Sequence, residues 1–398
     1  MKRRHLVIIG GGPAGLVIAS VAAQLGLKVT LIEKSDKLGG DCLHTGCVPS
    51  KTLIHAAKVA ALMRRGREFG LEAVEPKVDL GRVNDHVQSV IDQIQQHDDP
   101  ERFRAYGCEV LFGHAEFVDA HRVRVNDEVI RGRRIVIATG SRPLIPPIDG
   151  LEQAGFVTNE TVFSLRELPR RLVVLGGGPI GVELAQAFAR LGSQVSIVER
   201  LPQLLPQEDP ELSAALRELL IAEGIQVHTE TSAERVSTTG DTRVIECSGG
   251  LHLQAEQILI AVGRRPSLDG LNLEAAGVES IQPAGLLVRI AAVQPEQGSR
   301  LPQRGERLGD GRQATHPEVA VVAQRIAGRE LAEVGQVGRQ KEVDLHLPTR
   351  LRVFPQPGQQ RVGLQRAQPV VVERGGAAAG QLGRQLLQLQ QQDRGQVE

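Results

Sequence analysis

Cysteine is scarce in this chain. Four are present, Cys42, Cys47, Cys108 and Cys247, too few for the disulfide framework of a small secreted module, and only the first two are close together. An excess of either charge is also missing. The 47 Lys and Arg residues balance 47 Asp and Glu, so no overall field draws the chain to nucleic acid or to an anionic membrane. No uninterrupted apolar stretch reaches the roughly 18–20 residues that span a bilayer. Lys2, Arg3 and Arg4 precede an apolar run, as in a signal peptide, but the run Leu6 to Ile9 is broken at once by Gly10-Gly11-Gly12-Pro13. The expectation is a soluble, cytoplasmic protein. Aromatic residues amount to only 2%.

Glycine, by contrast, is plentiful. Its 44 residues, beside 41% hydrophobic residues, suit an α/β chain with many tight turns. The 398-residue length admits two or three domains at about 100–200 residues each. The dominant feature is an internal repeat. His5 to Ile9 reads as a buried strand, Gly10-x-Gly12-x-x-Gly15 follows, a helical stretch runs to about Leu25, and Lys28 to Ile32 reads as a strand ending at Glu33. The scheme recurs as strand Arg171 to Leu175, turn Gly176-x-Gly178-x-x-Gly181, helix Val182 to Leu191 and strand Gln194 to Val198, ending at Glu199. In a dinucleotide-binding βαβ unit the first glycine permits the tight turn and the second lets backbone approach a pyrophosphate. The third lets helix and strand pack closely, and an acid about 20 residues on accepts ribose hydroxyls. Two copies predict two Rossmann-like units, hence a protein that holds two nucleotides.

A second phrase repeats. Ile135-Val136-Ile137-Ala138-Thr139-Gly140-Ser141-Arg142-Pro143 is echoed by Ile258-Leu259-Ile260-Ala261-Val262-Gly263-Arg264-Arg265-Pro266, each a buried strand ending in a glycine turn. Between Gly40 and Arg131 lies an insertion. Lys51 to Arg65 has helical spacing with Leu53, Ala57, Ala60 and Ala61 on one apolar face, Val83 to Gln96 reads as a second helix, and Asp98-Asp99-Pro100 starts a third. Glu109 to Val118 and Arg122 to Ile130 read as strands, and a loop at Pro202 to Pro210 leads to a helix as far as Glu223 and a strand near Ile225 to His228.

The segment Gly39-Gly40-Asp41-Cys42-Leu43-His44-Thr45-Gly46-Cys47-Val48-Pro49-Ser50-Lys51 carries the chemistry. Five residues of straight helix would separate the two cysteines by about 7.5 Å of rise, beyond the reach of an unstrained disulfide. The segment therefore bends, and Gly46 permits it. Pro49 suits a first helical turn, which puts Cys47 at the N-terminus of the Lys51 helix, where the dipole and Lys51 both favour thiolate. Three readings stand side by side: inert buried cysteines, a zinc site with His44 as third ligand, and a redox pair attached to a dinucleotide unit. Cys108 and Cys247, alone in apolar surroundings, read as structural.

The Cys42-x4-Cys47-x-Pro-Ser-Lys phrase, set after the first glycine motif, resembles that of the pyridine nucleotide-disulfide oxidoreductases of the glutathione reductase, dihydrolipoamide dehydrogenase and mercuric reductase type. The resemblance covers roughly residues 5 to 283, and Gly176 to Leu191 with Gln96-His97-Asp98 look most like the latter two branches. It implies an FAD-binding domain over 1–150 with the redox helices inserted, and an NAD(P)-binding domain over 151–283. Gly10, Gly12, Gly15 and Glu33 would hold the FAD pyrophosphate and ribose, with Gly40, Lys51, Thr139 and Gly140 beside them and Ala115 at the adenine. Gly176, Gly178, Gly181 and Glu199 would take the nicotinamide cofactor, with Gly263 beside it; the Glu199 carboxylate favours NADH over NADPH by opposing a 2′-phosphate. Electrons would pass from NADH through FAD to a Cys42–Cys47 disulfide, with Cys47 the thiolate facing the flavin and Cys42 attacking substrate. Lys51 and Glu183 match residues that pair near the flavin. The implied acceptors are a small-molecule or protein disulfide or dithiol, or a metal ion, and the family is homodimeric.

Two rival functions remain: a flavin NADH dehydrogenase passing electrons to quinone or oxygen without the cysteines, and a non-catalytic nucleotide-binding remnant. From about Ala284 the composition shifts. Roughly one residue in six is Gln, Arg almost displaces Lys, and Phe354 is the only aromatic, so little in 284–398 can nucleate a core. The family's Ala-x-Gly-Asp return and His-Pro-Thr phrase are not recognisable: Gly309-Asp310 lacks a preceding strand and His316-Pro317-Glu318 lacks the Thr. The abrupt shift is that expected of an out-of-frame continuation, which sequencing of the encoding DNA tests; a natural low-complexity appendage is the alternative.

Overall fold

The computed structural model describes residues 1–281 together with two short strands at 287–290 and 318–321. These lie within one compact unit, and residues 334–398 fall outside the described residues. In chain order the first region comprises β1 (Lys2–Ile9), α1 (Pro13–Gln24), β2 (Val29–Glu33), α2 (Gly40–His44), α3 (Cys47–Arg64), α4 (Leu80–Gln95) and α5 (Pro100–Ala105). It continues with β3 (Cys108–Phe112), β4 (Ala115–Asp119), β5 (Arg122–Val125), β6 (Glu128–Ile137) and β7 (Ser141–Pro143). Next come α6 (Leu151–Ala154), β8 (Arg171–Leu175), α7 (Pro179–Leu191), β9 (Gln194–Val198), α8 (Pro210–Ala222), β10 (Gln226–His228), β11 (Ala233–Thr239), β12 (Thr242–Cys247), β13 (His252–Ala255), β14 (Gln257–Ile260) and β15 (Arg264–Pro266). The strands β16 (Val278–Ile281), β17 (Leu287–Ile290) and β18 (Glu318–Val321) follow.

Two sheets with parallel centres form as the repeat predicts, giving an α/β architecture, and β5 and β4 extend the first beyond β6 in antiparallel fashion. In the first, β3, β2, β1 and β6 run parallel in that order. In the second the order is β10-β9-β8-β14, again all parallel, and β11-β12-β13 form an antiparallel sheet over one of its faces. Side chains alternate across the first sheet with the strand period of two: Ile8 joins Leu16, Ala19 and Leu31 on the α1 face, while Val7 and Ile9 join Phe117, Val123 and Ile135 on the other. Each such side chain, withdrawn from water, contributes about 1.5–3 kcal/mol.

The repeated Ile-Ala-x-Gly phrases meet each other. Their ends, β7 and β15, pair antiparallel with Arg264 opposite Pro143 and Pro266 opposite Ser141. The inserted helices share the second unit's core: Leu53 and Ala57 of α3 and Leu80 and Val87 of α4 lie in one cluster with Leu184, Ala185 and Phe188 of α7.

Several boundaries differ from the sequence reading. Glu109 to Val118 is two strands, β3 parallel to β2 and β4 antiparallel to β5, separated where Gly113 takes φ +153°. Arg122 to Ile130 is a hairpin whose turn is made by Asn126, with φ 52°; the short amide side chain tolerates this left-handed conformation. The helix after Asp79 starts at Leu80, capped by the Asp79 carboxylate at 3.1 Å from the Arg82 N–H. The composition of 284–398 offered little to nucleate a core and gave no fold, and there β18 pairs in parallel with β6, Val319 opposite Ile135 and Val321 opposite Ile137. The alternation of Val319 and Val321 provides the β-branched pattern such a strand needs. Gly309-Asp310 and His316-Pro317 lie outside the described residues, as does the rest of that segment apart from β17 and β18.

Candidate active site

Each glycine motif turns the chain from a parallel strand into a helix in the same way. A Cβ on Gly10 (φ +112°) would overlap the Ala138 carbonyl oxygen, and one on Gly176 (φ +110°) the Ala261 carbonyl oxygen. These close approaches set Thr139-Gly140 and Val262-Gly263 beside the two turns. Gly15 and Gly181 press on the carbonyl oxygens of Gly10 and Gly176, which brings helix and strand together. The middle glycines differ in kind. A Cβ on Gly178 would meet nothing within 4 Å, and one on Gly12 only the Gly40 Cα at 3.7 Å. Both precede a proline at the first helical position, so the N–H groups beyond are left for an anion.

The two acids are also held alike. The Glu33 carboxylate, buried at 8% exposure, accepts from the Gly11 N–H at 2.6 Å and from the Ser35 N–H and hydroxyl, both at 2.8 Å. Glu199 accepts from the Gly177 N–H at 2.7 Å and from the Leu201 N–H at 2.9 Å. Gly113 N–H donates to the Glu33 carbonyl at 2.8 Å, which sets Gly113 through Ala115 alongside that acid. Room at Gly12 and Gly178, buried carboxylates and proline-started helices together fit two dinucleotides, FAD and a nicotinamide cofactor.

The cysteine segment is attached to the first turn. Gly39 N–H donates to the Gly11 carbonyl at 2.9 Å, and Gly40 (φ +58°) lies against Gly12. The chain bends between α2 and α3 at Gly46, where a Cβ would come within 2.9 Å of the Asp41 carbonyl oxygen and 3.2 Å of the Cys42 Cα. Cys47 is the first residue of α3, with Pro49 in its first turn. Both sulfurs are free thiols, Cys42 half-buried and Cys47 exposed. Burial first, then a hydrogen bond with Cys47, push the Cys42 thiol up to about 11. His44 Nε2 donates to the Leu38 carbonyl at 2.9 Å, and among the described residues no three His, Cys, Asp or Glu side chains gather as a metal site would need. Cys108 and Cys247 are buried, and burial raises both thiols.

Lys51 does not lie free beside the sulfurs. Its ammonium binds both Glu183 oxygens, at 2.8 and 2.7 Å, and so joins α3 to α7. A second ion pair escaped the sequence reading: Arg264 Nη2 lies 2.9 Å from Asp41 Oδ2. Arg264 also donates to Asn159 Oδ1 at 3.1 Å and to the Ser141 hydroxyl and carbonyl at 2.9 and 2.7 Å. Asn159 Nδ2 in turn donates to the Thr45 carbonyl at 3.1 Å, and the Thr45 hydroxyl to Asp41 at 2.5 Å. In the repeated phrase Arg264 falls at the position that varies, where the first copy has Ser141, so the repeat did not mark it, and Asp41, Thr45 and Asn159 carried no assigned role.

Comparison with known proteins gives the class. The pyridine nucleotide-disulphide oxidoreductase family profile matches residues 4–289. The chain is 36% identical over 278 residues to a mercuric reductase of Lysinibacillus sphaericus, covering 69% of this chain and 51% of that protein. It is 38% identical over 291 residues to a dihydrolipoyl dehydrogenase of Bacillus subtilis (strain 168), covering 71% and 63%. Among solved structures, the Cu(II) complex of the HOCl-induced flavoprotein disulfide reductase RclA from Escherichia coli aligns with a TM-score of 0.62 at 30% identity, covering 72% of this chain and 62% of that one. The chain thus belongs to the pyridine nucleotide-disulphide oxidoreductase family, and spans about half to three fifths of the length of these relatives. Among the described residues, no helix is long and apolar enough to cross a membrane.

Proposed function

We propose that the protein is an FAD-dependent NADH:disulfide oxidoreductase, with FAD held by residues 1–150, the nicotinamide cofactor by 151–283, and reducing equivalents delivered to a Cys42–Cys47 disulfide. The observation that carries this reading is the contact of Gly40, at the start of the cysteine-bearing helix, with Gly12 of the first nucleotide turn. When bound, FAD supplies two-electron chemistry between a nicotinamide and a disulfide.

The chain's own groups have distinct tasks. A carboxylate offers about four acceptor sites; Glu33 has three engaged by Gly11 and Ser35 and keeps one for a ribose hydroxyl. Glu199, engaged by two N–H groups, keeps two, and its charge opposes a 2′-phosphate, which selects NADH. Gly10, Gly15, Gly176 and Gly181 shape the turns, Ala115, Thr139, Gly140 and Gly263 border them, and Lys51 with Glu183 holds α3 on α7. Reducing the disulfide takes two electrons and two protons and yields two thiols. Cys42, its thiol raised to about 11, retains one proton near neutrality, and Cys47 is the exposed partner at the helix start. An onward acceptor among dithiols, disulfides and metal ions is supported by relatives called dihydrolipoyl dehydrogenase and mercuric reductase. A homodimer is the assembly the family resemblance supports.

The test is the visible spectrum of the full chain loaded with FAD, followed by anaerobic addition of NADH and a thiol count. Flavin should be retained, and NADH should release about two thiols per chain, a gain lost in Cys42→Ser and in Cys47→Ser. NADH oxidation that persists unchanged in the double Cys42→Ser/Cys47→Ser variant would replace this reading by a quinone- or oxygen-linked NADH dehydrogenase. Bound nucleotide with no thiol gained would leave a binding protein.

A further inference from the structure

The helix that carries Cys42 cannot hold its own shape. α2 has five residues, its N-cap Gly39 offers no side-chain cap, and a single helical turn is unstable by itself. Its order comes from contacts outside it. Leu43 is buried, and Asp41, which immediately precedes Cys42, is gripped by Arg264 from the start of β15.

Arg264 is well placed for this. Its side chain is 12% exposed against 36% for Asp41, and its Cα position is fixed by pairing of β15 with β7. Ser141 and Asn159 between them take Nε, Nη1 and Nη2. The guanidinium plane is thus set before Asp41 is considered, so the ion pair costs less further side-chain entropy than a free surface pair would. Asn159 closes the ring by holding the Thr45 carbonyl at the C-terminal end of α2. Meanwhile α3, which carries Cys47, is fixed to α7 by Lys51 and Glu183. The two cysteines therefore sit on two helices held by different ion pairs, α2 by Arg264 of the β7–β15 ribbon and α3 by Glu183 of α7.

We propose that Arg264 is a positioning residue of the Cys42–Cys47 pair, acting through Asp41 to fix the α2–α3 bend at which the two sulfurs meet. This rests on the reading of Cys42 and Cys47 as a redox pair. When the dithiol reacts with oxidised glutathione, two S–H bonds are replaced by one protein S–S bond, and the glutathione disulfide is reduced to two thiols. The equilibrium of that exchange measures how well the bend holds one sulfur against the other. A loosened bend spreads the dithiol over more conformations and makes closure less favourable.

The experiment is a glutathione redox titration of the full chain and of its Arg264→Ala, Arg264→Lys, Asp41→Asn and Arg264→Ala/Asp41→Asn variants, with thermal midpoints recorded in parallel. Arg264→Ala and Asp41→Asn should each lower the disulfide-forming equilibrium constant about tenfold, and the double variant should lose no more than either single one, because all three break one contact. Arg264→Lys keeps the charge but not the fork and should fall between. Lowered midpoints with an unchanged glutathione equilibrium, or additive losses in the double variant, would overturn the proposal and leave Arg264 a merely structural residue. Should Arg264→Ala not fold, the isosteric Asp41→Asn decides the matter by itself. An unaltered chain that forms no Cys42–Cys47 disulfide at any glutathione ratio removes the proposed function as well; one that forms it, with variants to match, removes only the role of Arg264.

Discussion

Glu109, at the start of β3, shows how far a single side chain's surroundings can move it. Its carboxylate accepts from Lys2 at 2.7 Å, Arg4 at 2.8 Å and the Thr30 hydroxyl at 2.9 Å. Burial alone would raise its pKa; the three hydrogen bonds overcome that and bring it down to about 2. A carboxyl held below its unfolded value of roughly 4.3 stabilises the fold above that pH and ceases to as pH falls through the folded value. The shift is worth roughly 3 kcal/mol at most, and about 1–2 after solvent screening of a partly exposed cluster. Glu109→Gln should therefore unfold at lower urea at pH 7 by that amount, and the gap to the unaltered chain should close between about pH 5 and 2. A gap that stays constant down to pH 3 would assign the loss to packing instead. Glu33 and Glu199 were readable in advance because their place follows from a short motif. Asp41 and Arg264 were not, because their meeting depends on the whole course of the second unit.

At the scale of elements, the glycines of one turn separate into two kinds, and substitution tells them apart. Gly181→Ala drives a methyl into the Gly176 carbonyl and should cost about 1–3 kcal/mol of stability, as overpacking does. Gly178→Ala meets no atom within 4 Å and its extended backbone (φ −74°) suits alanine. It should change stability by less than about 1 kcal/mol, yet weaken NADH binding at least tenfold, because the methyl occupies the space the pyrophosphate needs. Urea unfolding and NADH titration of both variants check this; unimpaired NADH binding by Gly178→Ala would place the cofactor elsewhere. The same local logic explains what the sequence revealed of the fold. Strand, glycine turn, helix and acid recur within about thirty residues, so both βαβ units were legible. The break at Gly113 and the turn at Asn126 were hidden in continuous β-favouring runs, since strand direction is decided by distant partners. β18 is four residues long, and only its pairing with β6 marks it as part of the first sheet.

At the scale of the whole molecule, the cysteine-bearing helices come from the first unit's sequence and are buried in the second unit's core. Leu53 of α3 is 1% exposed among residues of α4 and α7. Leu53→Ala should cost about 2–5 kcal/mol, and native-state hydrogen exchange should then quicken in β8 and α7 as well as in α3; a loss confined to α3 would show that the two regions open independently.

The β7–β15 ribbon has a consequence for the path of the chain. With Pro143 opposite Arg264, residues 144–263 leave and re-enter at one point, so this stretch, which holds the second sheet, is in effect the loop of a single very long hairpin. By connectivity it is a cassette that could be exchanged through two adjacent splice points without rethreading its host. By energetics it is no cassette, for its removal would strip α3 and α4 of the apolar surface they rest on. A graft at this ribbon must therefore bring a replacement for α7 whose buried face matches those helices, and not merely a new nucleotide-binding sheet.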